Sequence, residues 1–203
     1  PYFIMQPPTR HTTMTPTQLF WLILGSTWAA IEIAIALKTR VKFTSLDALE
    51  YRSERLIWVV VAVALFSALW VKQLHLVALP LGLFYRQFFA VALFFIGLGL
   101  RCYAVYSLGK FFSTTVITKD GHNLIESGPY RFIRHPAYTG LFISFFAAGF
   151  AMGDALALVT LVSPIAYVIT QRIYIEEQWL NDHFGEIYKA YSLRTKKLLP
   201  WIY

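Results

Sequence analysis

A short stretch past the middle of the chain combines residue types that binding sites use. Residues 128–140 read GPYRFIRHPAYTG. Pro136 suits the first position of a helix, where free backbone N–H groups can bind an anionic ligand group. His135 and Tyr138 are three residues apart, so they share one helix face. Together they could stack on a ring or hydrogen-bond a ribose, which makes this stretch a candidate binding wall.

Structural roles remain open for the same residues. Tyr130 and Tyr138 could be aromatic side chains of a membrane-interface belt. Arg131 and Arg134 could be charges that set membrane topology, and for Arg131 we favour that interpretation.

The composition shows which elements must position this stretch. Of the 203 residues, 57% are hydrophobic and 14% are charged, against about 25% charged residues in soluble domains. The apolar residues form blocks long enough to cross a bilayer, which takes about 20 helical residues. We place these spans at about 17–37, 56–79, 88–108, 136–152 and 155–175, and only Gly153-Asp154 separates the last two.

The tail after the fifth span has a different pattern. Its apolar and aromatic residues recur at helical spacing on one face, which predicts an interfacial or lid helix: they are Trp179, Leu180, His183, Phe184, Ile187, Tyr188 and Tyr191. Gly97 and Gly99 follow no strand, so they favour close helix packing over a dinucleotide fingerprint. The sequence therefore predicts an all-α integral membrane protein with about five transmembrane helices, the last two a tight helical hairpin, plus a C-terminal amphipathic helix and no Rossmann domain.

Lysine and arginine are unevenly distributed between the segments that flank the spans. With the N-terminus outside, 14 of the 18 lie in inside segments and three lie outside. This bias predicts a multi-pass protein with the 128–140 stretch and the C-terminus on the cytoplasmic side. The net charge of +7 then reflects loops that face anionic lipid, and we expect no nucleic-acid partner.

Ionisable residues inside or at the ends of spans form a second candidate group. Glu32 and Arg101 lie within spans, where charges are costly; they could form a structural ion pair or line a path for a lipid tail. Arg172, Glu176 and Glu177 lie at the cytoplasmic end of the fifth span, and Arg172 and Glu176 could instead be an i, i+4 surface pair. The residues alone predict a membrane-embedded site with a basic and aromatic wall and a carboxylate.

Cysteine and histidine spacing excludes other chemistry. The lone Cys102 rules out an intramolecular disulfide and a cysteine-based zinc site. His122 and His135 are thirteen residues apart without a clustered partner, so we expect no metal site.

Several motifs in order resemble the isoprenylcysteine carboxyl methyltransferase (ICMT) family, in its prokaryotic type. They are GHNLIESGPYRFIRHPAYTG, then RIYIEE, then FGEIYKAYSLRTKKLLP, across residues 100–203. The wider group includes membrane phospholipid methyltransferases, which share RHPxYxG and a later Glu-Glu. The resemblance implies an S-adenosylmethionine-dependent methyltransferase that acts by carboxyl O-methylation on a prenylcysteine or another lipophilic small substrate at the membrane lipid and yields S-adenosylhomocysteine.

The resemblance also implies residue roles and, together with the span count, an organisation of the chain. Arg172 would hold the substrate carboxylate, and Glu177 or a tyrosine would accept a proton from an amine substrate. The organisation would be an N-terminal tail (1–16), three transmembrane helices (17–108) and a cofactor-binding catalytic region (109–203) with the hairpin at 136–175. The cofactor-binding residues would be His122, Asn123, Leu124, Ile125, Tyr130, His135, Pro136, Ala137, Tyr138 and Glu176.

Two other enzyme classes and one other role stay open. Phospholipid or amine N-methylation could use the same fold. Membrane sterol reductases, which bind NADPH, carry a similar RHP element but usually have more spans. A non-enzymatic membrane scaffold would leave the convergence of these motifs unexplained.

Overall fold

The computed structural model of the chain describes residues 14–39, 48–109 and 124–199. Within these ranges the regular elements are helical, and two isolated β-bridges are the only extended pairings. The chain divides into two compact units, Pro1–Arg40 and Val41–Tyr203. The elements are α1 (Pro16–Thr39), α2 (Ala48–Leu74), α3 (Leu83–Leu108), a 3₁₀ turn η1 (Gly128–Arg131), α4 (Pro136–Met152), α5 (Ala155–Phe184) and α6 (Glu186–Arg194).

Four of these helices are long and apolar enough to cross a membrane: α1, α2, α3 and α5. The fourth predicted span, α4, is apolar but has 17 residues, which gives about 25 Å at 1.5 Å per residue. The predicted all-α membrane fold is confirmed. In the second unit α3 packs mainly against α4, α2 packs against α5, and α4 packs against α5.

Small residues allow α3 and α4 to approach closely. A Cβ atom on Gly97 would lie 2.6 Å from the carbonyl oxygen of Gly140. A Cβ atom on Gly140 would lie 2.5 Å from the carbonyl oxygen of Gly97 and 2.7 Å from the backbone nitrogen of Arg101. Gly99, in contrast, has open space around the position of a Cβ atom. The expectation of close helix packing holds for Gly97, which faces α4.

A short segment after α2 is tied to the turn between α4 and α5. We expected the second span to reach residue 79, but α2 ends at Leu74. The following backbone instead pairs with the turn: the Leu79 N–H donates to Gly153 (3.0 Å) and the Ala155 N–H donates to Val77 (2.7 Å). Asp154 fixes this arrangement, because its carboxylate accepts from the N–H groups of Val77 (2.8 Å) and Ala157 (2.9 Å).

The fifth helix runs further than the sequence predicted. We expected the span to end near residue 175, yet α5 continues to Phe184 because no glycine or proline lies between Ile175 and Gly185. Gly185 has φ +52 and separates α5 from α6. The predicted tail helix is therefore divided, with Trp179 and His183 stacked on the end of α5. The break also takes Ile187 off the predicted apolar face, and this side chain is exposed.

Candidate active site

The start of α4 and the turn before it form one wall of the site. Pro136 occupies the first helical position and His135 is the N-cap residue, as predicted. Both side chains are buried. The ring of His135 lies 5.9 Å from that of Tyr138, which confirms that these residues share a face.

Tyr138 faces two residues of α5. Its hydroxyl group interacts with the side chains of both Arg172 and Glu176. Arg172 is only 3% exposed, so the alternative of a simple surface pair between Arg172 and Glu176 is wrong. The α5 charges and the α4 wall thus meet at one end of the bundle.

Glu176 presents an oxygen atom with unused hydrogen-bonding capacity. Its side chain as a whole is 31% exposed, but the Oε2 atom is buried and has no hydrogen-bond partner among the residues that the structure describes. The Nδ1 atom of His135 lies 3.9 Å from this oxygen. Leaving a buried acceptor unpaired is costly, so this oxygen is suited to a donor or a cation supplied by a ligand.

Tyr130 is buried next to the same group. Its side chain packs with Ala104 and Ala137, and the partly buried Ile125 lies against this cluster. The Tyr191 hydroxyl donates to the Tyr130 carbonyl oxygen at 2.7 Å. Burial, and then the nearby Glu176 carboxylate, raise the pKa of Tyr130 above its usual range. Tyr130 therefore keeps its proton at neutral pH.

Arg101 connects α3 to the wall. Its Nη1 atom donates to the carbonyl oxygen of Ala137, in the first turn of α4, at 3.2 Å. A charge within the third span thus contributes to holding the wall in place.

The structure brings together most of the residues predicted for the site. Ile125, Tyr130, His135, Pro136, Ala137, Tyr138, Arg172 and Glu176 lie around one end of the second unit. Leu124 is half-buried just before Ile125. His122 and Asn123 lie outside the described residues.

Sequence reasoning missed how the C-terminal segment joins this site. Arg134, for which a role as a topology charge was left open, forms an ion pair with Glu177 at 2.8 Å. Lys197 reaches the other oxygen of the same carboxylate at 3.2 Å. The basic pair Arg134-His135 and the acidic pair Glu176-Glu177 were a sequence signal for contact between the start of α4 and the end of α5. Nothing local in the sequence, however, shows that residues 195–199 return to α4.

No group of three or more His, Cys, Asp or Glu side chains within residues 14–39, 48–109 and 124–199 is arranged to hold a metal ion.

The region that carries the site is similar in sequence to a known family. Residues 90–182 match the sequence model of the isoprenylcysteine carboxyl methyltransferase (ICMT) family. This region of the chain is similar to that family. It contains α4 and most of α3 and α5, which are the helices that carry the site.

Curated relatives include ICMT enzymes and a bacterial enzyme. The chain is 34% identical to protein-S-isoprenylcysteine O-methyltransferase of Schizosaccharomyces pombe over 121 residues, covering 55% of this chain and 49% of the relative. It is 32% identical to the human enzyme of the same name, covering 51% and 37%. It is 35% identical to methanethiol S-methyltransferase 1 of Bradyrhizobium diazoefficiens over 72 residues, covering 36% and 24%. The chain thus spans about half, or less, of the length of these relatives.

A solved ICMT structure has the same fold. The eukaryotic intramembrane Ras methyltransferase ICMT aligns with a TM-score of 0.61 over 94% of this chain and 70% of that chain, at 22% identity. The architecture of the ICMT fold is therefore present in this shorter chain.

Proposed function

We propose that the protein is an integral membrane methyltransferase that uses S-adenosylmethionine to O-methylate the carboxylate of an isoprenylcysteine-like or other lipophilic substrate. The observation that carries this proposal is the buried, unpaired Oε2 atom of Glu176, placed beside His135 and close to Tyr138 and Arg172. The family match of residues 90–182 supports the reaction class.

The residues around Glu176 fit the proposed cofactor. S-adenosylmethionine carries an ammonium group, ribose hydroxyl groups and an aromatic base. The open oxygen of Glu176 would accept from the ammonium or a ribose hydroxyl, and the tyrosine and histidine rings at the start of α4 would pack against the rest. When bound, the cofactor supplies a methyl group that its sulfonium activates.

Arg172 is suited to hold the substrate carboxylate. A guanidinium group can donate to both carboxylate oxygens at once, which fixes their direction as well as their position. A carboxylate is already a nucleophile at neutral pH, so the residues need only align it and exclude water. Tyr191 of α6 contributes to closing the site by its bond to the Tyr130 backbone.

The surroundings of Glu177 support a carboxylate substrate over an amine. An amine must lose a proton before it accepts a methyl group, and Glu177 was the candidate acceptor. Both oxygens of this carboxylate are already engaged by Arg134 and Lys197, which stabilise its ionised form and make it a poor base. Tyr130 is no better, because its raised pKa favours the protonated form.

Ligand-induced thermal stabilisation tests the cofactor assignment. S-adenosylhomocysteine at about 100 times its Kd should stabilise the folded protein by about 2.7 kcal/mol, which is about 5–10 °C in apparent Tm for a chain of this size. NADPH should not change the apparent Tm. Glu176→Gln should reduce the shift, and Glu186→Gln, on an exposed carboxylate of α6, should preserve it. Stabilisation by NADPH instead would contradict the proposal and favour the hypothesis of a reductase.

We also propose that the N-terminus is outside and that the site opens to the cytoplasm, as the bias of lysine and arginine predicts. Reporter domains fused to the two termini would test this orientation. A cytoplasmic N-terminus would contradict it.

A further inference from the structure

Three charged residues meet behind the proposed cofactor wall. The Nε atom of Arg134 lies 2.8 Å from Oε1 of Glu177, and Nζ of Lys197 lies 3.2 Å from Oε2. The Arg134 and Glu177 side chains are 9% and 15% exposed, so water screens their attraction less than that of a surface pair. These three residues are called the charged cluster below.

Arg134 also binds the C-terminal end of α6. Its Nη1 atom donates to the carbonyl oxygen of Ser192 at 2.9 Å and to that of Thr195. The last carbonyl groups of a helix have no partner within the helix, and the helix dipole favours a cation there. One guanidinium group therefore joins the start of α4, the end of α5 and the end of α6.

The residues after α6, 195–198, form a strap along the start of α4. The N–H groups of Arg134 and His135 donate to the carbonyl oxygens of Lys196 (2.8 Å) and Lys197 (3.0 Å). The hydroxyl group of Thr139 donates to Leu198 at 2.8 Å. The strap thus provides hydrogen-bond partners at the point where the backbone enters α4.

The charged cluster also orients the ring of His135. The Nε2 atom of this ring lies 3.3 Å from Oε1 of Glu177, an oxygen that Arg134 keeps in the acceptor role. In the neutral imidazole, the nitrogen that faces this acceptor carries the hydrogen and the other nitrogen is an acceptor. We assign the hydrogen to Nε2 on this basis. In this tautomer Nδ1 is the acceptor of the neutral ring, and it lies 3.9 Å from Oε2 of Glu176.

We propose that Arg134, Glu177 and Lys197 are positioning residues: they hold the strap on the start of α4 and fix His135 with Nδ1 as a second acceptor beside Glu176. The part of the proposal that concerns ligand affinity rests on the proposed cofactor site. A donor pair on the ligand, such as two neighbouring hydroxyl groups, would satisfy both acceptors. The strap and its hydrogen bonds do not depend on that site.

Arg134→Lys separates this role from a topology charge, because lysine keeps the charge but cannot contact Glu177, Ser192 and Thr195 at once. Hydrogen exchange of the full-length protein in detergent, read on peptides across residues 131–138, reports the Arg134 and His135 amides. We expect exchange there to be about tenfold faster or more, with exchange in α3 unchanged. The matched control is Arg131→Lys, three residues away at an exposed position, which should leave exchange unchanged. Equal exchange in Arg134→Lys and the wild type would overturn the positioning role.

Lys197→Gln gives a second, milder test, since it removes the 3.2 Å contact to Glu177 and leaves Arg134 in place. It should loosen the same amides to a smaller extent, and no change would contradict the part assigned to Lys197.

Two substitutions test the orientation of His135. Glutamine can place a donor near the Nε2 position, and asparagine can place an acceptor near the Nδ1 position. We expect His135→Gln to keep the strap amides protected but to weaken S-adenosylhomocysteine binding about tenfold or more. His135→Asn should loosen the strap and lose less affinity. The opposite pattern would show that the assigned tautomer is wrong. Failure of the wild type to bind S-adenosylhomocysteine would count against the cofactor site and leave the exchange result to decide on the strap.

Discussion

Replacing Gly97 by alanine should separate α3 from α4 and disturb the wall of the site. The added Cβ atom would lie 2.6 Å from the carbonyl oxygen of Gly140 and 2.8 Å from the backbone nitrogen of Ser144. These are backbone atoms, so relief requires one helix to move. Gly99, two residues along α3, is the matched control, because nothing lies within 4 Å of its Cβ position.

The Gly99→Ala control separates the cost of overpacking from the gain in helix propensity. Alanine is favoured over glycine in a helix interior by about 0.8–1.0 kcal/mol, and both substitutions gain this amount. Overpacking costs about 1–3 kcal/mol, and only Gly97→Ala incurs it. The difference between the two variants should therefore be about 1–3 kcal/mol, or about 2–12 °C in apparent Tm for a chain of this size.

Thermal unfolding of the two variants in the same detergent measures this difference. Gly99→Ala should unfold at or above the wild-type temperature, and Gly97→Ala about 2–12 °C below Gly99→Ala. S-adenosylhomocysteine should bind Gly97→Ala more weakly as well, because the first turn of α4 is tied to α3 by the bond from Arg101 to Ala137. Equal stability of the two variants would refute the close contact between α3 and α4.

Two further predictions concern the hydrogen bonds that join distant segments. Tyr191→Phe removes the 2.7 Å hydrogen bond to the Tyr130 carbonyl oxygen. It should destabilise the protein by about 1–3 kcal/mol, since it leaves a buried acceptor unpaired. A Tm equal to that of the wild type would argue against this bond. Asp154→Asn tests the turn between α4 and α5, where bonds from the N–H groups of Ala157 and Val77 lower the pKa of the Asp154 carboxyl. Because its folded-state pKa is lowered, the ionised carboxylate stabilises the fold at pH values above the unfolded-state pKa of about 3.9. This stabilisation is lost as the pH falls through the folded-state pKa. The Tm of Asp154→Asn should thus be below that of the wild type at pH 7, and the gap should narrow in acid; a gap that does not change with pH would contradict this role of the charge.

Some of the site could be predicted because its signals are local. Pro136 at a helix start and the three-residue spacing of His135 and Tyr138 determine a shared face without knowledge of the fold. Likewise, Arg172 and Glu176 fall at the end of a long apolar run, and charges there are rarely without a partner or a role.

Other contacts depend on chain segments that are far apart in sequence. Arg134 could be a topology charge by its position between two spans, and only the packing of α5, α6 and the following residues against the start of α4 reveals its partners. Gly97 and Gly99 read alike in the sequence, but one faces α4 and the other faces open space. Helix periodicity gives the relative directions of two residues, and tertiary packing decides which of them is covered.

Transfer of a labelled methyl group from S-adenosylmethionine to N-acetyl-S-farnesylcysteine tests the proposed reaction most directly. The wild type should form a base-labile methyl ester and should not label phosphatidylethanolamine. Methanethiol is assayed in parallel as a small comparison substrate. Arg172→Ala should reduce ester formation by about tenfold to 150-fold, as expected for the loss of hydrogen bonds to a charged group, while S-adenosylhomocysteine still raises its Tm. Label in phosphatidylethanolamine alone, or undiminished ester formation by Arg172→Ala, would contradict the proposed reaction and the role of Arg172 in it.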